Sequence, residues 1–399
     1  METIIVNKIN NTETGISKFT LWIMTIATGA CVANLYYCQP LLHQMQETFN
    51  VTPVEVGSIP TLTQFGYGIG ILFLIPLGDR YEKRSLIVIS TFLSALALIA
   101  LTFTTNIAMA SLISFIIGVT TMTPQFIIPF SMQLSNDKTR GKTLGMVMSG
   151  LLLGILLART VSGFVGAEFG WKIMFSSAGV FLILLSVLLR FTLPQAPVTY
   201  SGSYFKLLKS VWGFVKEQAT LRESMLFGSM LFGAFCAFWA TLIYLMESPA
   251  FNLGSRAVGL FGLLGAAGAL TAPIVGRLSD KKSPRSTIRF GYILMAVSFF
   301  IYLFWGATSL VALSIGVLVM DIGLQGTHVA NQSRIFALIP EARSRLNTAY
   351  MFSYFMGGAL GSWISSYAWS KYQWAGVCIS ALILIAIGSI PLFLKKSNK

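Results

Sequence analysis

The chain has 399 residues, of which 55% are hydrophobic and only 11% charged, and its mean hydropathy is +0.73. A soluble domain carries about 25% charged residues, so most of this surface must meet something other than water, and a soluble fold is excluded. The net charge of +14 would suit a nucleic-acid partner if it formed a patch, but it is spread over many short loops.

The first 18 residues, METIIVNKINNTETGISK, are polar and are expected to be disordered and to hold no cleavable signal. Apolar runs of the roughly 20 residues needed to cross a bilayer follow one another along the chain. Twelve spans are predicted, at 19–42, 55–77, 86–104, 107–135, 142–166, 171–193, 222–246, 257–278, 288–306, 308–338, 346–368 and 374–394. Backbone groups in lipid must be satisfied within their own segment, so these runs are helices. They are too long, and too little alternating, for a β-barrel. The fold class is an all-α membrane protein. It divides into an N-terminal bundle (19–193), a linker (194–221), a C-terminal bundle (222–394) and a short tail (395–399). In the linker, Phe205, Leu208, Trp212 and Val215 recur at helical spacing beside Lys206, Lys209 and Lys216, a pattern for a basic helix on the membrane surface.

With the N-terminus in the cytoplasm, 24 of the 28 Lys and Arg residues fall on the cytoplasmic side; Lys172, Arg256 and Lys371 fall outside, and Arg159 sits within a span. That asymmetry is the positive-inside rule, and it predicts a multi-pass protein of the bacterial cytoplasmic membrane with both termini cytoplasmic. The four cysteines, Cys31, Cys38, Cys236 and Cys378, lie in or beside spans without metal spacing and read as buried apolar thiols. No metal and no cofactor is expected.

The chain repeats itself. "PLGDRYEKR" (76–84) follows span 2 and "GRLSDKKSPR" (276–285) follows span 8, with Asp79 and Asp280 201 residues apart. Arg140-x-x-Thr143 and Arg345-x-x-Thr348 precede spans 5 and 11, and Trp171 and Trp374 open spans 6 and 12. Very short turns join spans 3 to 4 and 9 to 10. On these residues the chain resembles the major facilitator superfamily over 19–394. The second loop copy fits the family pattern at Gly276, Leu278, Ser279, Asp280, Lys281, Lys282 and Ser283. The first keeps Leu77, Gly78, Asp79, Arg80, Lys83 and Arg84, but has Ile75 and Glu82 in place of the outer glycines. "ANLYYCQPLL" and "GLLLGILLARTVSG" resemble, more narrowly, an uncharacterised bacterial branch near the drug-efflux members. Two departures bear on coupling. Arg159 stands where the antiporter signature of span 5 has proline, and Ser114 stands where many proton antiporters carry an arginine.

The resemblance implies two six-helix bundles with spans 1, 4, 7 and 10 lining a central cavity and spans 2, 5, 8 and 11 forming the interface between halves. Gly66 and Gly70 of span 2, Gly150 and Gly154 of span 5, Gly262, Gly265 and Gly268 of span 8, and Gly357, Gly358 and Gly361 of span 11 are expected to face that interface. A charge near the bilayer centre costs roughly 2.5–3.5 kcal/mol on insertion scales, so each one needs a reason. Asp321 lies about 13 residues into span 10, near mid-membrane at about 1.5 Å per residue. With Gln325, His328 and Gln332 it forms a stripe on one helix face. Asp321 and His328 are therefore candidates for proton coupling, and Arg159 for an ion pair with Asp321 or Glu247 that switches between states. Asn34, Tyr36, Tyr37, Gln39, Thr121, Gln125, Phe235, Trp239, Tyr244, Gln325 and Asn331 are the candidate substrate-cavity residues. Aromatics with sparse amides suit a bulky amphipathic ligand. Asp79, Arg80, Arg84, Gly276, Asp280 and Lys281 are, by the resemblance, a cytoplasmic latch, with each Asp set near the start of span 11 or span 5, where a helix N-terminus favours an anion.

The expected function is a secondary transporter that works by alternating access, exporting a small amphipathic molecule against protons and working as a monomer in the lipid bilayer. Import or facilitated passage of a metabolite such as a siderophore or sugar is the alternative, and a channel or non-transporting receptor a remote one. An enzyme is not expected, because His43 and His328 are the only histidines and no nucleophile–base set is present. No P-loop is present to couple ATP.

Overall fold

A computed structural model of the chain describes residues 16–136, 139–195, 203–269 and 283–393. Within them twelve spans follow in order. Lys18–Ala33, Ser58–Leu74 and Lys83–Thr102 are spans 1 to 3, and span 4 joins Ile107–Thr120 to Thr123–Gln133 across a break at Thr121 and Met122. Spans 5 and 6 make up Arg140–Thr192, span 7 is Ala219–Met246, and span 8 is described over Ser255–Ala269. Span 9 is Pro284–Ile301, continued by a π turn to Gly306; span 10 is Leu310–Phe336; spans 11 and 12 make up Arg343–Phe393. Span 1 ends earlier than the sequence predicts. Pro40, which has no N–H to continue a helix, sits in a tight turn at Gln39–Leu41, and the chain then runs on as the short helix Leu42–Phe49.

The repeat is visible in the backbone. Arg140–Thr192 is broken only at Gly170 (φ +82°) and Arg343–Phe393 only at Gln373 (φ +51°). Glycine adopts such a φ without steric cost, whereas Gln373 must bear it. The tryptophan after each break is buried with its indole N–H satisfied, Trp171 by Thr48 Oγ1 at 2.9 Å and Trp374 by the Tyr302 carbonyl at 2.9 Å. Arg84 donates to the Arg190 carbonyl at the end of span 6, and Arg285 donates to the Pro391 carbonyl at the end of span 12. Each arginine thus caps the last carbonyls of a helix in its own half, where a cation is favoured.

Burial is the reverse of a soluble protein's. Ile89, Phe92, Leu184, Phe191, Phe300 and Phe304 stand exposed on spans 3, 6 and 9, as lipid-facing positions should. Span 7 is covered on nearly every side, with 89% of its apolar window buried, which puts it at the centre. The four cysteines are free and buried.

Glycine placement differs from expectation. A Cβ on Gly154 would lie 2.4 Å from Gly29 Cα, and one on Gly361 would lie 2.6 Å from Gly233 Cα. These pairs are the crossings of spans 1 with 5 and 7 with 11, inside each bundle. Gly66 and Gly70 press on the Phe115 and Val119 carbonyls of span 4, and Gly357 on Ser229. Of the glycines expected at the inter-bundle face, Gly262 meets it, 3.0 Å from Arg159 Cβ, and Gly163 and Gly68, which were not among those expected there, meet it too, against the Ser255 carbonyl and Met356. The reason is that backbones approach most closely where helices cross within a bundle, and lipid provides no hydrophobic drive to hold a looser contact. Between the halves, spans 2 and 11 meet through Tyr67 and Phe355, whose rings are 4.5 Å apart. Spans 5 and 8 meet through Thr160 Oγ1, which donates to the Gly259 carbonyl at 2.9 Å.

The linker forms a helix at Tyr204–Glu217. Tyr204 donates to the Phe73 carbonyl of span 2 at 2.7 Å, while Arg345 of span 11 donates to Ser210 Oγ at 3.3 Å and lies 5.1 Å over the Phe214 ring. The helix therefore straddles the seam between halves, leaving Phe205 and Trp212 exposed.

Candidate transport site

A cavity of about 420 Å³ lies between the bundles, within the usual size range for a small-molecule site. Span 1 and the turn after it contribute Val32 and Tyr36, and spans 4, 7 and 10 contribute Gln125, Phe235 with Trp239, and Asp321 with Gln325, His328 and Gln332. All four members of the span 10 stripe therefore face it. Spans 2, 5 and 11 add Tyr67, Arg159 and Tyr354.

Arg159 is buried, and its surroundings are aromatic. The guanidinium carbon lies 4.1 Å from the centroid of Trp239, 4.7 Å from that of Tyr36 and 5.6 Å from that of Phe235, favourable cation–π geometry. Its Nε donates to Gln39 Oε1 at 2.7 Å and Nη1 to the Ile155 carbonyl at 3.4 Å, while Nη2 has no partner. Asp321 is buried too, and its Oδ2 has no partner. The two charges share one cavity without closing into an ion pair. Arg159 is thus held by Gln39 and aromatic faces instead of by Asp321 or Glu247. Among the described residues, they are the charges lining the cavity.

The remaining candidates divide. His328 Nδ1 lies 3.1 Å from the Tyr350 hydroxyl. Gln125 donates to the Tyr67 hydroxyl at 3.0 Å. Asn34 donates to Thr121 Oγ1 at 3.3 Å, a buried tie between spans 1 and 4 that is set back from the cavity. Tyr37 turns away to meet Phe175 of span 6, with centroids 6.3 Å apart, and Asn331 is buried off the cavity. Tyr244 lies beyond it, stacked on Trp369. Tyr67, Phe232, Tyr354 and Phe355 line the cavity although they were not among the candidates; aromatics at helical spacing in spans 2, 7 and 11 were the available signal. Arg80 lies over the Tyr81 ring at 5.9 Å. The Asp79 side chain, and Gly276, Asp280 and Lys281 entirely, lie outside the described residues. Near Asp79, Ile75 and Pro76 face Ser344, Arg345 and Thr348 across a small recess shared with the linker helix.

The side opposite the basic loops is closed by contacts between halves. Arg256 pairs with Glu168. His43 Nε2 lies 3.2 Å from Glu47, and its Nδ1 lies 3.0 Å from Glu247 Oε2, an ion-pair distance without the alignment of a hydrogen bond. The His43 ring also meets the edge of Tyr244, 6.3 Å away. Glu247, just past the end of span 7, is pushed up to about 7 by burial and then by Glu47. A raised carboxyl favours the closed contact while protonated, so closure should weaken as pH rises through about 7. Spin labels on Thr48 and Asn252 should therefore report more separation at pH 8 than at pH 6. Glu247→Gln should remove that dependence, and a persistent pH effect in that variant would remove Glu247 from the latch.

A larger recess of about 770 Å³ lies on the lipid-facing side, between spans 9 and 12. Its Arg289 is taken up by the Leu392 carbonyl at 3.0 Å, and it lies away from the charges described above.

Two six-helix bundles enclosing a central polar cavity define a multi-pass membrane transporter. The chain belongs to the major facilitator superfamily, whose family model matches residues 21–362 and 260–399. It is 40% identical over 372 residues to the uncharacterized transporter YgaY of Escherichia coli O157:H7, covering 93% of this chain and 94% of that one. It is 23% identical over 379 residues to the inner membrane transport protein YnfM of E. coli K12, covering 90% and 86%. Among solved structures it is similar to a bacterial homologue of the human lysosomal transporter Spinster, in an inward-facing and unoccupied conformation. That match has a TM-score of 0.75 and 15% identity, and covers 94% of this chain and 96% of that one. The nucleoside transporter NupG matches with a TM-score of 0.73 and 15% identity, covering 95% and 99%.

Proposed function

We propose that this transporter exports a small amphipathic molecule across the bacterial cytoplasmic membrane in exchange for protons, with Asp321 as the proton-binding group. The observation that carries the reading is a buried carboxylate, Asp321, lining the cavity with one oxygen unpartnered. A carboxylate in that position is costly as an anion unless it is paired, so it gains by taking a proton or a ligand cation. The aromatic wall formed by Tyr36, Phe235, Trp239 and Tyr354 suits an apolar ligand body. The basic loops favour a cytoplasmic position for both termini. On that orientation, the face closed by His43, Glu247, Glu168 and Arg256 is the outer one, and the cavity belongs to the inward-facing half of an alternating-access cycle.

The test is transport in proteoliposomes under an imposed pH gradient, with dyes, siderophores and sugars as the panel. Accumulation against the proton flux is expected for amphipathic dyes. Movement in the direction of the protons would replace export by symport, and flux indifferent to the gradient would remove proton coupling.

A further inference from the structure

Three buried polar atoms in the cavity wall lack partners, and they are of two kinds. Arg159 Nη2 and Trp239 Nε1 are donors, and Asp321 Oδ2 is an acceptor. Arg159, Trp239 and Asp321 are 2%, 0% and 4% exposed, and all three line the cavity. Buried polar groups are nearly always bonded, so each of these is a place where something is missing.

The guanidinium restricts what can fill the first gap. The guanidinium carbon lies over the Trp239 and Tyr36 rings, and Gln39 takes Nε. What remains is Nη2, a charged donor without a partner, and the oxygens of a carboxylate or phosphate are the groups that best answer an arginine fork. A second cation is excluded there, and a neutral ligand would leave the charge unanswered. Gly265 opens the space around the acceptor. A Cβ at that position would lie 3.2 Å from Asp321 Oδ2 and 3.5 Å from Trp239 Cζ2, a ring carbon on the same edge of the indole as its N–H. Leu151, Leu152, Ile155, Leu324 and Met351 give the same cavity an apolar share of its wall.

We infer that the transported molecule is amphoteric: an apolar or aromatic body carrying an anionic group that docks on Arg159 and Trp239 Nε1, and an amine that docks on Asp321. This inference rests on the proposal that the cavity is the substrate site, and it deepens it by naming the substrate class. A purely cationic ligand would satisfy Asp321 and leave Arg159 bare; a purely anionic one would do the reverse. Only a ligand with both charges answers both gaps at once.

The test is equilibrium binding to the purified full-length protein in detergent, without any gradient, followed by quenching of tryptophan fluorescence. Four probes share one naphthyl body: naphthylalanine, its methyl ester, its N-acetyl derivative, and the N-acetyl methyl ester. The zwitterion should bind at least ~10-fold more tightly than either singly charged probe, the worth of one hydrogen bond to a charged group. Arg159→Gln should reduce the zwitterion to the level of the ester, and Asp321→Asn should reduce it to the level of the N-acetyl derivative. Arg159→Lys, which keeps the charge without the fork, guards against misfolding and should retain part of the preference. Equal binding of the zwitterion and the neutral probe overturns the inference, as does binding of none of the four. Because no gradient is present, the result is independent of proton coupling. A zwitterion preference without gradient-driven transport would sink the coupling alone, and the converse would sink the amphoteric ligand alone.

Discussion

Asp321→Asn should abolish accumulation driven by a pH gradient, by at least ~10-fold, while counterflow exchange at saturating substrate continues. The asparagine has nearly the shape of the aspartate and fits the same space beside Gly265 and Trp239, but it neither binds a proton nor carries charge at neutral pH. Counterflow requires only that a loaded cavity reorient, whereas accumulation requires the returning carrier to hold a proton. A second readout separates coupling from scaffolding. Asp321 makes no ion pair with Arg159, and its Oδ2 has no partner, so removing its charge relieves a buried anion that lacks a bonded partner at Oδ2. Melting temperature should hold or rise. A variant that lost counterflow and melted several degrees lower would make Asp321 a structural partner of Arg159 and end its role in coupling.

Gly361→Ala and Gly154→Ala should each sharply reduce the yield of folded protein. In the first, the new methyl carbon would lie 2.4 Å from the Gly233 carbonyl carbon and 2.6 Å from its Cα; in the second, 2.4 Å from Gly29 Cα. These are backbone atoms, so no side chain can swing aside, and the crossings of spans 7 with 11 and 1 with 5 must part. Overpacking of well-packed sites costs about 1–3 kcal/mol, and separation of two spans along their length should exceed that. Gly145→Ala is the matched control, since among the described residues nothing lies within 4 Å of its new carbon. Thermal melting followed by size-exclusion chromatography distinguishes them. Equal melting of all three would show that the crossings are looser than these distances imply.

Much of this architecture is legible in the sequence because lipid imposes it. A backbone with no water to bond must be helical, so the length of an apolar run and the charge of its flanks suffice to count spans. The two loop copies, with Arg84 and Arg285 capping equivalent helix ends, mark the duplication, and the breaks at Gly170 and Gln373 fall just before the tryptophans that open spans 6 and 12. The stripe of Asp321, Gln325, His328 and Gln332 is also readable, since spacing by four, three and four leaves little choice of face. What tertiary structure alone decided is which face of one helix meets which face of another. Arg159 could have met Asp321 or Glu247; instead it rests on Gln39 and between aromatic rings. Tyr37 and Tyr244 have the composition of cavity residues and point elsewhere, and Gly150, Gly154, Gly357, Gly358 and Gly361 serve their own bundles instead of the seam. Helical periodicity gives the relative angle of side chains on one span, but the rotation of that span against its neighbours is set by the closest backbone crossings, and those depend on pairs of residues over a hundred positions apart.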